Sequence, residues 1–136
     1  DSESADMVWG TPFYVAPEKI KREPETFSSD MYSLGATLYH AVTGHVPFDA
    51  PTPEEVVMAQ VNTPLTPPNL VVPEISQATS DALARSLAKN PADRFMNYDE
   101  FIMALTAARS QLLVQQYQSP KENNEPKRMT SWWRRQ

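Results

Sequence analysis

The sequence predicts a mainly α-helical fold, with helices joined by stiff, irregular loops. Three observations predict it. Apolar residues recur three and four apart between Met31 and Val42, and again between Phe101 and Leu113. Helix-start signals stand at Thr52-Pro53 and at Asn97, with Glu100 three residues on. Thirteen prolines against three glycines set rigid breaks between these stretches, and no segment reads clearly as a strand.

Taken in order, residues 1–9 (DSESADMVW) are acidic and aperiodic, the end of a loop. Residues 10–18 hold two prolines and form a rigid irregular segment, in which Pro17 suits the first turn of a short helix. A polar connection follows over 19–29. The strongest helix is 30–43, with Met31, Leu34, Leu38, Ala41 and Val42 on its stripe and Ala36 and Tyr39 adding apolar surface elsewhere. Such a helix belongs in the middle of a domain. Ser28 or Ser29 can cap its start and Gly44 can end it. A helix over 53–61, capped by Thr52, buries Val56, Val57 and Ala59 or Gln60 only in part. Residues 62–77 carry four prolines and read as an extended, ordered loop. A helix over 79–89, capped by Thr79 or Ser80, presents Leu83 and Leu87, and Asn90-Pro91 breaks it. The last helix starts at Asn97, runs Phe101, Ile102, Leu105, Ala108, Leu112 and Leu113 down one side and ends near Tyr117. Residues 118–130 are polar and read as a disordered tail.

The chain has 136 residues, enough for one domain with a core, and 40% of them are hydrophobic. Net charge is -5, unevenly spread. Residues 1–117 hold 15 acidic and 7 basic side chains, whereas residues 118–136 hold 2 and 5. An acidic body argues against nucleic acid as a partner. The absence of cysteine excludes disulfides and thiolate metal sites. Two histidines, His40 and His45, are too few for a histidine metal site and read as packing or capping residues. There is no stretch of 18 apolar residues. Trp132 and Trp133 beside Arg134 and Arg135 suit a membrane-proximal or partner-facing segment, with a disordered tail as the competing reading.

Three separated motifs carry a resemblance: GTPFYVAPE from Gly10 to Glu18, DMYSLG from Asp30 to Gly35, and NPADRF around Arg94. By composition alone the first is a stiff turn, Asp30 a helix-start carboxylate, and Arg94 a cation after a helix break. In this order they resemble the C-terminal lobe of a eukaryotic-type Ser/Thr protein kinase. The resemblance covers about residues 1–113 and begins within the activation segment. It implies an incomplete kinase-like fold divided into the activation-loop end (1–9), a helical C-lobe subdomain (10–117) and a polar, basic tail (118–136).

The resemblance also implies roles. Gly10, Thr11, Pro12, Phe13 and Tyr14 match the substrate-binding P+1 loop, and a threonine at position 11 fits a Ser/Thr rather than a Tyr kinase. Glu18 and Arg94 match a buried structural ion pair, for which the planar guanidinium fork is well suited. Asp30 matches the residue that braces the catalytic loop, although a plain helix cap would account for it too. Ser2 and Ser4 lie where activating phosphates occur, with Lys19, Lys21 and Arg22 as nearby cations in sequence. Met7 occupies the usual acceptor position, and an acidic solvated loop is the competing reading.

No Gly-rich loop, H-R-D or D-F-G sequence occurs in these 136 residues, so no catalytic residue is assigned here. The resemblance thus implies a parent that transfers the ATP γ-phosphate to protein Ser or Thr with ATP and Mg2+. This stretch alone is expected to be inactive and to hold neither. Expected partners are protein substrates, the N-terminal portion of the kinase, and other copies through exposed C-lobe surface. The expected location is cytoplasmic, with an anchor beyond residue 136 as one arrangement of the parent. The alternative is a non-catalytic, kinase-derived scaffold module.

Overall fold

Helix caps and buried aromatic residues define the architecture of the protein. The computed structural model describes residues 12–118. Six α-helices follow one another: α1 (Pro17–Ile20), α2 (Phe27–Thr43), α3 (Pro53–Asn62), α4 (Pro68–Val71), α5 (Gln77–Ser86) and α6 (Tyr98–Gln118). Single 3₁₀ turns occur at Pro12–Tyr14 and Pro91–Asp93, and no strand occurs among the described residues. The mainly α class is therefore what the chain adopts.

The central helix starts three residues earlier than its apolar pattern suggests. Thr26, not Ser28 or Ser29, is the N-cap. Its Oγ1 accepts the Ser28 N–H at 3.2 Å, and Ser29 Oγ accepts the Thr26 N–H at 3.4 Å. Gly44 ends the helix in the left-handed region at φ 76°. The buried face is also rotated from the expected stripe. Met31, Tyr32, Gly35, Ala36 and Tyr39 are buried, whereas Leu34 and Val42 are exposed. Two tyrosines can face inward because each hydroxyl finds an acceptor: Tyr32 on Gln60 Oε1, and Tyr39 on Thr66 O at 2.8 Å.

Helix α3 is capped as expected, with Thr52 Oγ1 accepting the Glu55 N–H at 3.2 Å. It buries Val56 and Gln60 fully rather than in part. Helix α5 begins two residues before the expected position. Ser76 caps it by accepting the Thr79 N–H at 3.2 Å, and Asn90 instead caps the following 3₁₀ turn. The four-proline stretch is not wholly extended, because Pro67-Pro68 preset the backbone for the single turn of α4. At α6, Asn97 Oδ1 accepts the Glu100 N–H at 2.9 Å. The Glu100 carboxylate reaches back to Met96 N rather than to Asn97 N, so the reciprocal half of the box is displaced by one residue. Helix α6 runs one residue past Tyr117. The last buried residue on it is Ala108, and every residue from 109 to 118 is exposed.

Helix α2 lies between two apolar clusters. Ala16, Tyr32, Ala36, Tyr39 and Leu87 form one, against which Tyr14, Leu65 and Val71 pack. Met31, Ala82, Leu83, Phe95 and Phe101 form the other, with Phe95 and Phe101 stacked at 5.1 Å. Arg85 covers Phe95 at 4.5 Å.

Lys89 folds back over the Phe48 ring at 3.8 Å and donates to Ala59 O at 3.2 Å. Burial pushes its amine down to about 8. The folded lysine thus gives up its proton before the unfolded one, whose value lies near 10.4. Between these values the unfolded chain binds more protons, so this lysine should make stability rise with pH across that window. Chemical denaturation of Lys89→Met from pH 7.5 to 9.5 should give a flatter profile than the parent chain. An unchanged slope would show that the amine titrates normally.

Candidate functional site: a loop clamped to the helical core

Side chains from α2, α3 and the Arg94 segment bond residues 12–18 to the helical core. A 3₁₀ turn closes few of its own backbone bonds, so its carbonyls need other donors. Here all three have them. Gln60 Nε2 donates to Pro12 O at 3.1 Å and to Phe13 O at 2.9 Å. Ser33 Oγ donates to Tyr14 O at 2.7 Å. The Tyr14 hydroxyl meets His40 Nδ1 at 2.8 Å, with the two rings stacked at 6.2 Å. The turn is therefore held from α2 by Ser33 and His40 and from α3 by Gln60.

The segment next enters α1, where Pro17 takes the first helical position and aims Glu18 inward. Glu18 and Arg94 form a two-point ion pair, Nη1 to Oε2 at 2.6 Å and Nη2 to Oε1 at 2.8 Å. Glu18 is 4% exposed and Arg94 2%. Ser29 Oγ donates to Glu18 Oε2 at 3.0 Å. The remaining Arg94 donors are satisfied by main-chain oxygens: Nε by Ala88 O at 2.8 Å, Nη1 by Ser28 O at 2.9 Å and Nη2 by Lys89 O at 3.3 Å. Its guanidinium carbon lies 4.9 Å from the Tyr32 ring centre.

Burial alone would raise the Glu18 carboxyl. The Arg94 hydrogen bonds, its own backbone amide, the Arg94 charge and the Ser29 hydroxyl together outweigh burial and hold it below the usual carboxylate value. Burial pushes the Tyr32 hydroxyl upward, so it stays a neutral donor to Gln60.

Pro12, Phe13 and Tyr14 thus share one clamp, and Glu18 and Arg94 meet beneath it. Asp30 stands apart, exposed in the first turn of α2. Gly10, Thr11, Ser2, Ser4 and the 119–136 tail lie outside the described residues. Ser33, Gln60 and His40 were not read from the sequence as partners of the loop. His40 in particular bonds a loop tyrosine instead of serving only in packing or capping. Ser33 and His40 are seven apart and share a face of α2, and Gln60 is a polar residue in an otherwise apolar stripe. Those were the signals available. No cluster of His, Cys, Asp or Glu that could hold a metal ion occurs among the described residues.

A loop locked onto a helical core by a buried carboxylate–guanidinium pair, with no strand among the described residues, is the arrangement that the resemblance to the helical lobe of a protein kinase implies. The family model for the protein kinase domain matches residues 1–107, and the chain belongs to that family, with the eukaryotic-type Ser/Thr kinases. It is 39% identical over 89 residues to the serine/threonine-protein kinase PksC of Streptomyces coelicolor, covering 65% of this chain and 16% of that protein. It is 34% identical over 99 residues to the serine/threonine-protein kinase PknE of Mycobacterium tuberculosis, covering 73% of this chain and 17% of that protein. A probable serine/threonine-protein kinase of Clostridium acetobutylicum is 31% identical over 103 residues, covering 76% and 16%. The chain therefore spans about one sixth of the length of these relatives. Among solved structures, the twitchin kinase region from C. elegans shares the fold, with a TM-score of 0.63 at 23% identity over 73% of this chain and 17% of that one.

Proposed function

We propose that the chain is the C-lobe part of an ATP-dependent Ser/Thr protein kinase. In this reading residues 10–14 form the loop that seats the substrate beside its acceptor hydroxyl. Residues 10–117 act as one helical subdomain, and Asp30, free of the core, braces the catalytic loop. Ser2 and Ser4 are candidate acceptors of an activating phosphate, and the parent works in the cytoplasm on protein substrates. The observation that carries the reading is the clamp on residues 12–14 above the Glu18–Arg94 pair. It holds all three carbonyls of the 3₁₀ turn, two by Gln60 and one by Ser33, and ties the chain that follows to the core.

The residues in hand do not fit ATP and Mg2+. The sequence has no Gly-rich loop, H-R-D or D-F-G stretch, and no carboxylate cluster occurs among the described residues. No step through the nucleotide is assigned to this chain.

The test compares phosphoryl transfer from ATP and Mg2+ to Ser- and Thr-containing peptides by two samples. One is the full polypeptide its gene encodes and the other is the 136-residue chain. Transfer by the first and none by the second is the expected result. No transfer by either would favour the scaffold reading, for which the exposed Leu34, Val42, Ile102 and Met103 offer contact surface.

A further inference from the structure

Gln60 is the least expected buried residue in the domain. Its side chain is fully buried, 0% exposed, on a helix whose other buried residue is Val56. A primary amide carries two donors and one acceptor with two lone pairs, and leaving these groups unpaired in a core is costly. Here its amide nitrogen bonds Pro12 O at 3.1 Å and Phe13 O at 2.9 Å, and its oxygen accepts the Tyr32 hydroxyl. The two loop carbonyls also fix which end of the amide faces the loop. Carbonyl oxygens can only accept, so the nitrogen must face Pro12 O and Phe13 O, which leaves the amide oxygen to the Tyr32 hydroxyl. Tyr32 in turn lies beneath the Arg94 guanidinium at 4.9 Å. The chain of contacts thus runs from the ion pair through Tyr32 and Gln60 to the loop.

We propose that Gln60 is a positioning residue for the substrate peptide, with Tyr32 as its orienting partner. It sets the height and tilt of residues 12–14 by holding two successive carbonyls, and so makes α3 part of the substrate seat. This rests on the reading of residues 10–14 as a substrate loop. It adds a residue from a helix that the three sequence motifs do not include. Gln60 touches no reacting atom in this scheme. Its removal is felt in peptide binding and not in the chemical step.

Two readouts test it. In the 136-residue chain, Gln60→Glu keeps the shape and the Tyr32 bond but loses both N–H donors, and Gln60→Leu loses all three bonds. Tyr32→Phe is the mild third variant if either of these folds poorly. Amide exchange over residues 13–16 should quicken about tenfold or more in the two Gln60 variants and less in Tyr32→Phe, while α5 and α6 stay within about twofold. In the full encoded polypeptide, the same variants should raise peptide KM about tenfold with kcat within about twofold. Unchanged exchange over 13–16 overturns the clamp. Quickened exchange with unchanged KM overturns the substrate role. If the parent polypeptide transfers no phosphate at all, the kinase reading fails by itself, and the exchange result still decides whether Gln60 holds the loop.

Discussion

Replacing Glu18 with Gln is expected to destabilise the domain by about 3 kcal/mol or more, within the ~3–5 kcal/mol range for a broken buried ion pair. Most of that cost arises from the residue left behind. Arg94 would keep its bonds to Ala88, Lys89 and Ser28 carbonyls, but its charge would lose its only buried counter-ion among the described residues. Carbonyl dipoles offset part of the desolvation and not all of it. The melting temperature should fall by roughly 10 °C or more for a domain of this size. The double variant Glu18→Gln with Arg94→Met should lose less than the sum of the single changes, because the orphaned charge is gone. A Glu18→Gln variant within 1 kcal/mol of the parent in urea titration would contradict the account.

The same pair sets a pH dependence. The folded Glu18 carboxyl titrates below its ordinary value, so the unfolded chain takes up the proton first as pH falls. The stabilisation is complete above the unfolded value of about 4.3 and is lost as pH falls through the folded value. The gap between the parent and Glu18→Gln should therefore be widest at neutral pH and shrink in acid.

The second large effect is expected at Gly35→Ala. A methyl group on Gly35 would overlap Ser86 Oγ and lie 3.0 Å from Ser86 Cβ. Ser86 is fully buried, and its hydroxyl is held by Leu83 O at 2.7 Å. The helix would gain up to about 1 kcal/mol from alanine propensity. Overpacking costs typically ~1–3 kcal/mol, and contact with an atom fixed to the α5 backbone places this site at the upper end. A net loss of about 2 kcal/mol is expected by thermal denaturation, since the overpacking cost exceeds the propensity gain. The loss should be smaller in a Ser86→Ala background, where the hydroxyl is absent. A stabilised Gly35→Ala would show that α2 and α5 can move apart freely. Gly44 has the opposite constraint. A methyl there meets nothing within 4 Å, and its φ of 76° alone favours glycine.

The order of helices was legible because the signals are local. Thr52-Pro53 and Asn97 mark their helices whatever surrounds them, and Gly44 ends its helix by backbone conformation alone. What local pattern could not give was rotation and partnership. The stripe through Leu34 and Val42 is as apolar as the face the fold buries. The choice falls to Tyr32 and Tyr39 because Gln60 and Thr66 O, 28 and 27 residues away, accept their hydroxyls. Likewise the pattern offers Thr79 or Ser80 as the cap of α5, whereas Ser76 caps it by accepting the Thr79 N–H. Glu18 and Arg94 stand 76 residues apart, and no periodicity pairs them. Their association was an expectation of the motif resemblance. Ser33, His40 and Gln60 belong to no motif and become visible as loop holders only once the turn and two helices are brought together.

The long final helix has a geometric consequence. Beyond Ala108, its last ten residues rise about 1.5 Å each, so Gln118 sits roughly 15 Å further along the axis than the final buried side chain. No side chain along that stretch is buried, so substitutions there are expected to leave the packing of the two apolar clusters intact.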